Sequence, residues 1–584
     1  MLFPLFLLSL LQLLVLPGLL LHRLLGLRLR GFEWAVGIAV LSLIGNYVLM
    51  HGLMVAPLLR TAHLPWIVAA EAVALGIAYR ARLRDTVRVP LIGLGLTLVG
   101  LALLAWLVSP DLPSVFTTND AVLSWNRWAL SWAVDEAPER TVMYPQLVPI
   151  LYAVVYLLTG DPTLQVLSKP VAIAFPALIL LTCAAQVERG RLITAGIATI
   201  VALGVMVLLR KVFVNGDADV PAGTLVLVAI AFALTARDAA DQSDATLQRQ
   251  RVWLGAVAAA TAAVTKQAGL LVAVVYPALI LILFPSHHGR RLAAQSAGLI
   301  VVLALPWYAY SLLMLYLGEE HSNLGTLVYD LHAGRSIPER LAHAANLLGG
   351  YSRHWLLAVF GLLFAVGVFV SRARWPILLI VLPYTLLWGC FWSYAGRNLY
   401  PALPVAAFLA GWTLDDLARR VLPAAQARLD RLRGRAPACG IPLGACLALA
   451  ALAIGLGALV SDSEIRAAND AGRARIGDEH INRALLEHFR AKGFQGTLIT
   501  NYGLARYVPA LKDIRVVGDP LTLAPSLRRI VGKHSEACIL QIQSNAVRSE
   551  RQAARLLDRM ITEGSYHVAA EGKDWRLLEP GSGP

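Results

Sequence analysis

Charge is scarce in this chain. Asp, Glu, Lys and Arg together make up 15% of 584 residues, 57% are hydrophobic, and the mean hydropathy is +0.63. That balance excludes an ordinary water-soluble globule, whose surface needs more charge. Cysteine is nearly absent. Cys183, Cys390, Cys439, Cys446 and Cys538 form no CxxC pair, which excludes a disulfide framework and a zinc cluster. A secretory leader is lacking too: residues 1–21 are apolar but have neither a basic start nor a small-residue cleavage site, so a retained span is expected. The net charge of +14 does not form a nucleic-acid face, because its arginines collect in short loops between apolar runs; no nucleic-acid partner is expected.

What the chain does contain is a series of apolar runs, many close to the roughly 20 residues needed to cross about 30 Å of hydrocarbon. They fall near 2–21, 34–58, 64–79, 90–108, 170–186, 191–209, 221–236, 252–264, 267–284, 294–316, 354–370, 376–391, 400–416 and 441–460. The apolar stretch 252–284 is too long for one crossing and is divided at Thr265-Lys266-Gln267. Residues 145–159 form a further, short apolar segment. If it is interfacial or re-entrant, the loop charges become coherent. Arg23, Arg28, Arg30, Arg80, Arg82, Arg84, Arg88, Arg189, Arg191, Arg237, Arg249, Arg251, Arg290, Arg291, Arg372, Arg374 and the six arginines from Arg419 to Arg435 then share one side. The sparser set of Arg60, Arg127, Arg140, Arg210, Lys211, Arg335, Arg340, Arg353 and Arg397 takes the other. Basic loops stay inside. The loops 109–145, 210–220, 317–353 and 392–399, the turn at Lys266 and the tail after 461 are therefore expected on the outer, non-cytoplasmic face of a multi-pass membrane protein.

The predicted fold is an all-α polytopic membrane bundle of about 14 transmembrane helices with a small C-terminal soluble α/β domain. Its divisions are 1–89, N-terminal transmembrane helices; 90–416, the main membrane unit with outer loops; 417–460, a basic loop and last span; and 461–584, the soluble part. In that tail, helical stretches (478–492 and 547–562) alternate with β-like runs at 497–500, 514–517 and 538–542. It has no Gly-rich phosphate loop and no nucleophile–base triad.

Four polar patches fall on the predicted outer face. The first is Asn119-Asp120, opening a stretch in which Trp125, Trp128 and Trp132 share one helical face. A tryptophan face suits the lipid headgroup layer, where Asp120 could serve as a general base; alternatively it only caps the helix. The second is Asn215-Gly216-Asp217-Ala218-Asp219-Val220-Pro221, whose Asp217 and Asp219 could bind a cation or orient an acceptor, or simply start a helix with Pro in its first turn. The third, Lys266-Gln267, sets an ammonium among apolar helices, where such a residue has a partner or faces a cavity; a lipid phosphate or pyrophosphate would suit it, unless the side chain snorkels to the interface. The fourth is Arg397-Asn398, where a planar guanidinium suits phosphate oxygens or bulk headgroups.

Taken together, these patches resemble the GT-C superfamily of integral-membrane glycosyltransferases, in the branch akin to protein O-mannosyltransferases, the lipid A aminoarabinose transferase and the rhizobial core transferases. Asn119-Asp120-Ala121 stands where the family carries an acidic pair, so only Asp120 is carried over. Tyr144-Pro145-Gln146-Leu147 stands for a Pro-Pro-Leu stretch, with one proline missing. Ala218-Asp219-Val220-Pro221, Thr265-Lys266 and Arg397-Asn398-Leu399…Pro401 match three further motifs in order over roughly 90–416. The resemblance implies a transferase using a polyprenyl-phosphate-linked sugar and an envelope glycan, lipid or protein acceptor, working among membrane lipids. Asp120 would be the base; Lys266 and Arg397 would hold the donor phosphate; Asp217 and Asp219 would position the acceptor. Asn119, Tyr144, Gln267 and Asn398 would support them. No cofactor is firmly implied, and a divalent cation (Mg or Mn), if one is used, would sit on Asp120 and Asp219. The nearest rival readings are an oligosaccharide ligase acting on a lipid carrier and a flippase or transporter of lipid-linked sugars.

Overall fold

The computed structural model describes residues 1–56, 61–80, 86–317, 336–351, 362–422, 438–442 and 460–581, apart from gaps at 113, 119, 139–140, 142, 363, 370, 393–395, 478, 493–495, 503, 506–514, 519–523 and 543–547. Among these residues, eight helices are long and apolar enough to cross a membrane: α1 (Leu2–Leu24), α2 (Gly31–Val55), α3 (Thr61–Tyr79), α4 (Leu91–Val108), α7 (Gln165–Val187), α9 (Asp219–Asp241), α12 (His287–Tyr316) and α14 (Arg374–Phe391). Between them lie α5 (Asn126–Ala133), α6 (Leu147–Thr159), α8 (Leu192–Val214), α10 (Ala245–Ala263), α11 (Gln267–Leu283), α13 (Ile337–Tyr351) and α15 (Leu403–Val421). The sequence spans 354–370 and 441–460 fall largely or wholly outside the described residues.

The bundle is built around α9. Its middle is an unbroken series of Ala, Val, Leu, Ile and Phe, apolar all round, and such a helix is stable only when enclosed. Its apolar length is buried accordingly, against α7, α10, α11 and α15. Apolar side chains face outward instead on the peripheral helices: Trp66 and Ile77 on α3, Trp106 on α4 and Val302 on α12 are each more than two-thirds exposed. Exposed apolar faces this extensive belong in lipid. α6 has only 13 residues, about 20 Å, which is short of a full crossing. It packs on α1, α2 and α5, and Leu157 is its only residue that is not buried. The long apolar stretch 252–284 breaks where the sequence suggests: α10 stops at Ala263, and α11 begins at Gln267.

At the C-terminal end of α9, arginines and carboxylates interlock the helices. Glu33 of α2 accepts from Arg251 Nε and Nη2 at 2.7 and 3.0 Å and from Arg189 at 2.8 Å. Arg191 pairs with Asp416 at 2.9 Å and lies 3.5 Å over the Trp412 ring. Arg372 reaches Asp241 at 2.5 Å. Arg189, Arg191, Arg237, Arg251 and Arg372, assigned from loop charge to one side, thus meet at one end of the bundle. Two strands, β1 (Thr86–Pro90) and β2 (Ala438–Pro442), pair antiparallel.

The C-terminal part folds as a five-stranded sheet of β3 (Thr497–Thr500), β4 (Arg515–Gly518), β5 (Cys538–Ile542), β6 (Tyr566–Gly572) and β7 (Trp575–Pro580), in the order β4-β3-β5-β7-β6. β3 runs parallel to β4 and β5, and β7 runs antiparallel to β5 and β6. Helices α16 (Asp462–Gly477), α17 (His480–Lys492), α18 (Ala524–Lys533) and α19 (Arg548–Thr562) accompany it. Ile499, Ile539 and Leu578 from the sheet bury against Leu527 and Leu557 from α18 and α19. The sequence missed the β6–β7 hairpin, whose outer strand buries only Tyr566 and is interrupted by a bulge between Val568 and Ala570. α16 ties this part to the bundle through Arg466–Asp161 at 2.6 Å and Asp462 with the Met1 amino group at 2.6 Å.

Candidate functional site

Five charged side chains from four separate segments meet at the N-terminal end of α9. The turn before that helix sets their positions. Gly216 sits at φ +90°, a conformation that side chains with a Cβ rarely adopt, and a Cβ there would lie 2.8 Å from both Phe116 and the Tyr152 hydroxyl. The turn is fastened to the first long loop by Asn215, whose Oδ1 accepts from Thr117 N at 3.3 Å and Thr117 Oγ1 at 2.9 Å. Asp217 and Asp219 then reach different cations. Asp219 accepts from Lys266 Nζ at 2.5 Å, and Asp217 accepts from Arg397 Nη1 at 3.1 Å.

Asp120 completes the cluster. It makes no capping hydrogen bond; the Thr118 hydroxyl accepts from Ala121 N instead, at 3.3 Å. The Asp120 carboxylate accepts from Arg397 Nη2, so one guanidinium bridges the first loop and the Gly216 turn. Lys266 does not snorkel: it emerges from the break between α10 and α11 directly onto Asp219. Arg397 lies in a short 3-10 turn, Gly396–Leu399, held close to α9 at Gly223, where a Cβ would strike the Tyr400 ring at 2.8 Å.

Exposure is graded across the cluster. The side chains of Asp217 and Asp219 are 2% and 3% exposed, Lys266 16%, Arg397 30% and Asp120 50%, so Asp120 is the member open to a substrate. Burial, and then the Asp120 carboxylate, push Asp217 up to about 8. Arg397 pulls the other way but is shared with Asp120, so burial wins. Burial alone would lower Arg397; the Asp120 and Asp217 carboxylates outweigh it and raise it. One oxygen of Asp217, Oδ1, is buried with no hydrogen-bond partner.

The supporting residues are placed differently. Asn119 lies outside the described residues. The Tyr144 ring packs edge-on to Trp125 and stacks 6.2 Å from Trp128. Gln267 opens the 3-10 turn that begins α11, and the Asn398 carbonyl accepts from the Tyr384 hydroxyl at 2.8 Å. The tryptophan face corrects the sequence reading. Trp125, Trp128 and Trp132 are 4%, 2% and 2% exposed and turn into the protein, against Tyr144, His51 and Gln146, rather than into headgroups. Period alone cannot tell a membrane-facing stripe from a core-facing one. Asp120 and Asp219, the carboxylates suggested for Mg or Mn, each accept from a side-chain cation, and a cation would have to displace these. No group of three His, Cys, Asp or Glu able to hold a metal occurs among the described residues.

Sequence reasoning missed Thr117–Asn215, which carries no motif, and Lys169. The buried Lys169 ammonium donates to Asp111 O at 2.6 Å, Ser114 Oγ at 2.7 Å and Val115 O at 3.1 Å, tying down the loop that leads to Asp120.

No family model and no curated protein matches the chain. Among solved structures, it is similar to ArnT from Cupriavidus metallidurans, crystallised in the apo state. The TM-score is 0.48 and the identity 15%, over 82% of this chain and 96% of that one.

Proposed function

We propose that this chain is a membrane glycosyltransferase that moves a sugar from a polyprenyl-phosphate-linked donor to an envelope acceptor at the outer face of the cytoplasmic membrane. The observation that carries the reading is the meeting of Asp120, Asp217, Asp219, Lys266 and Arg397, far apart in sequence, at one end of the buried helix α9. A half-open carboxylate beside two cations at the rim of an apolar bundle suits a lipid-linked phosphate and a hydroxyl or amine acceptor. The GT-C-like order of the motifs supports the same chemistry.

The reaction follows from charge. The acceptor oxygen or nitrogen attacks the anomeric carbon while its proton passes to Asp120. The bond from that carbon to the phosphate oxygen breaks, and polyprenyl phosphate leaves with the electron pair. Lys266 and Arg397 hold its growing charge, and one displacement inverts the sugar. A carboxylate bound to arginine is a weak base. A donor phosphate that takes the place of Asp120 on Arg397 therefore frees the carboxylate beside the reacting carbon. Asp219, left on Lys266, and Asp217 fix the acceptor side.

The test is release of polyprenyl phosphate from a panel of polyprenyl-phospho-sugars by the purified, lipid-reconstituted protein on adding candidate acceptors. Asp120→Asn is expected to lower transfer by about 10²–10⁴-fold, the range for a lost general base. Its insertion and melting should stay as in the wild type, since Asp120 is half-exposed. Undiminished transfer in Asp120→Asn removes Asp120 as the base. Absence of phosphate release from every donor removes the reading as a whole.

A further inference from the structure

At the opposite end of α9, roughly 33 Å from Asp219, lies a cavity of about 350 Å³. Its charged lining is Arg237, Arg372, Arg374 and Arg420, and its apolar walls include Leu283, Phe369 and Trp375. We infer that this cavity is a binding site for the headgroup of an anionic phospholipid, with the acyl chains running down the apolar wall beside Phe369.

Its charges are unevenly spent. Asp241 takes Arg372 at 2.5 Å and Arg237 at 3.5 Å, and Arg237 also donates to the Leu283 carbonyl at 2.8 Å. Asp238, 3.7 Å from Arg372, is shared with Arg191. Neither Arg374 nor Arg420 has a carboxylate partner among the described residues; Arg374 lies 5.1 Å over the Trp375 ring. Two planar guanidiniums therefore face a cavity without an internal anion, and the phosphodiester of a lipid matches their geometry. Lipid rather than a free anion is favoured by the wall. The Phe369 side chain is 83% exposed, two residues before Ser371 and close to Arg372, so an apolar ring and a cationic pocket adjoin where a span ends. Basic pockets between helices at this depth hold lipid phosphates.

The experiment is lipid binding by the full-length protein in nanodiscs of phosphatidylcholine doped with labelled phosphatidylglycerol. Binding is compared between wild type, Arg374→Gln/Arg420→Gln, and Arg290→Gln/Arg291→Gln, which changes two exposed arginines on α12. Neither pair carries an ion pair that the fold needs, and melting and size exclusion check that both variants remain folded. The Arg374/Arg420 pair is expected to weaken phosphatidylglycerol binding about 30-fold, at ~1 kcal/mol per arginine and tenfold per 1.4 kcal/mol. The α12 pair should leave it unchanged. An equal loss in both variants, equal affinity for phosphatidylcholine, or full displacement by millimolar inorganic phosphate overturns the proposal.

Discussion

Lys266→Met separates what the lysine does for the fold from what it does for a substrate. Asp219 is 3% exposed, and its carboxylate faces Lys266 Nζ at 2.5 Å. Removing one partner of such a buried pair costs about 3–5 kcal/mol, because the other charge stays buried and uncompensated. Asp219 also sits in the first turn of α9, where the helix dipole offsets about 0.3–1 kcal/mol of that charge. The net loss expected for Lys266→Met is therefore about 2–4 kcal/mol, read as lower melting and faster proteolysis in detergent micelles. Lys266→Met/Asp219→Asn removes both charges and should melt within about 1 kcal/mol of the wild type. Transfer is the discriminating readout. If Lys266 holds the donor phosphate, the double variant is stable and inactive. Recovery of transfer in the double variant would show that Lys266 only neutralises Asp219, and would remove it from the phosphate site. Wild-type stability in the single variant would refute the buried pair itself.

Asp217→Asn should change how stability depends on pH. With its folded value raised to about 8, far above the unfolded value of about 3.9, Asp217 binds its proton more tightly in the native state. Its stabilising contribution is full below the unfolded value and is lost as pH rises through the folded one, so melting of the wild type should fall between about pH 4 and 8. Asp217→Asn should flatten that slope; an unaltered slope rejects the assignment. Gly216→Ala meets both a positive φ and contacts at 2.8 Å with Phe116 and Tyr152. It should cost about 1–3 kcal/mol and lower transfer although every charged residue is kept. Unchanged melting and transfer would show that the turn is not a rigid mount for Asp217.

The sequence made the ends of the cluster legible and left its wiring dark. Asp217, Asp219, Lys266 and Arg397 are legible because charge is costly beside apolar spans and each lies at a span boundary; Asp120 is legible because it opens a tryptophan-bearing stretch in the first long polar loop. Which cation serves which carboxylate was not readable. Arg397 meets Asp120 and Asp217 across separations of 277 and 180 residues, and such distances carry no local period. Thr117–Asn215 escaped notice for the same reason, being one hydroxyl and one amide among many. The break between α10 and α11 was visible because a polar Thr-Lys-Gln interrupts an apolar stretch too long for one crossing. The tryptophan stripe shows the opposite limit. Its period gave the helix but not its surroundings, and Tyr144, Gln146 and His51 supplied a protein environment where headgroups were expected.

The two charged ends of α9 are not equivalent, and helix electrostatics says why. Asp238 and Asp241 sit in its last turn, against the negative end of the helix dipole, so they need outside cations. They have them in Arg191, Arg237 and Arg372. Asp219 sits at the positive end, where a carboxylate is favoured before any partner arrives. Pro221, without an N–H, wastes no donor there. An anion entering beside Arg397 and Lys266 thus meets a positive helix end as well as two cations, and it can replace Asp120 without leaving a bare charge buried. At the other end, an anion drawn onto Arg191, Arg237 or Arg372 would compete with carboxylates that lock α9 to its neighbours, whereas one held by Arg374 and Arg420 would displace none. The end able to exchange one anion for another without loosening the bundle is the one that holds Asp120, and the proposed turnover of a lipid phosphate would require that exchange in every cycle.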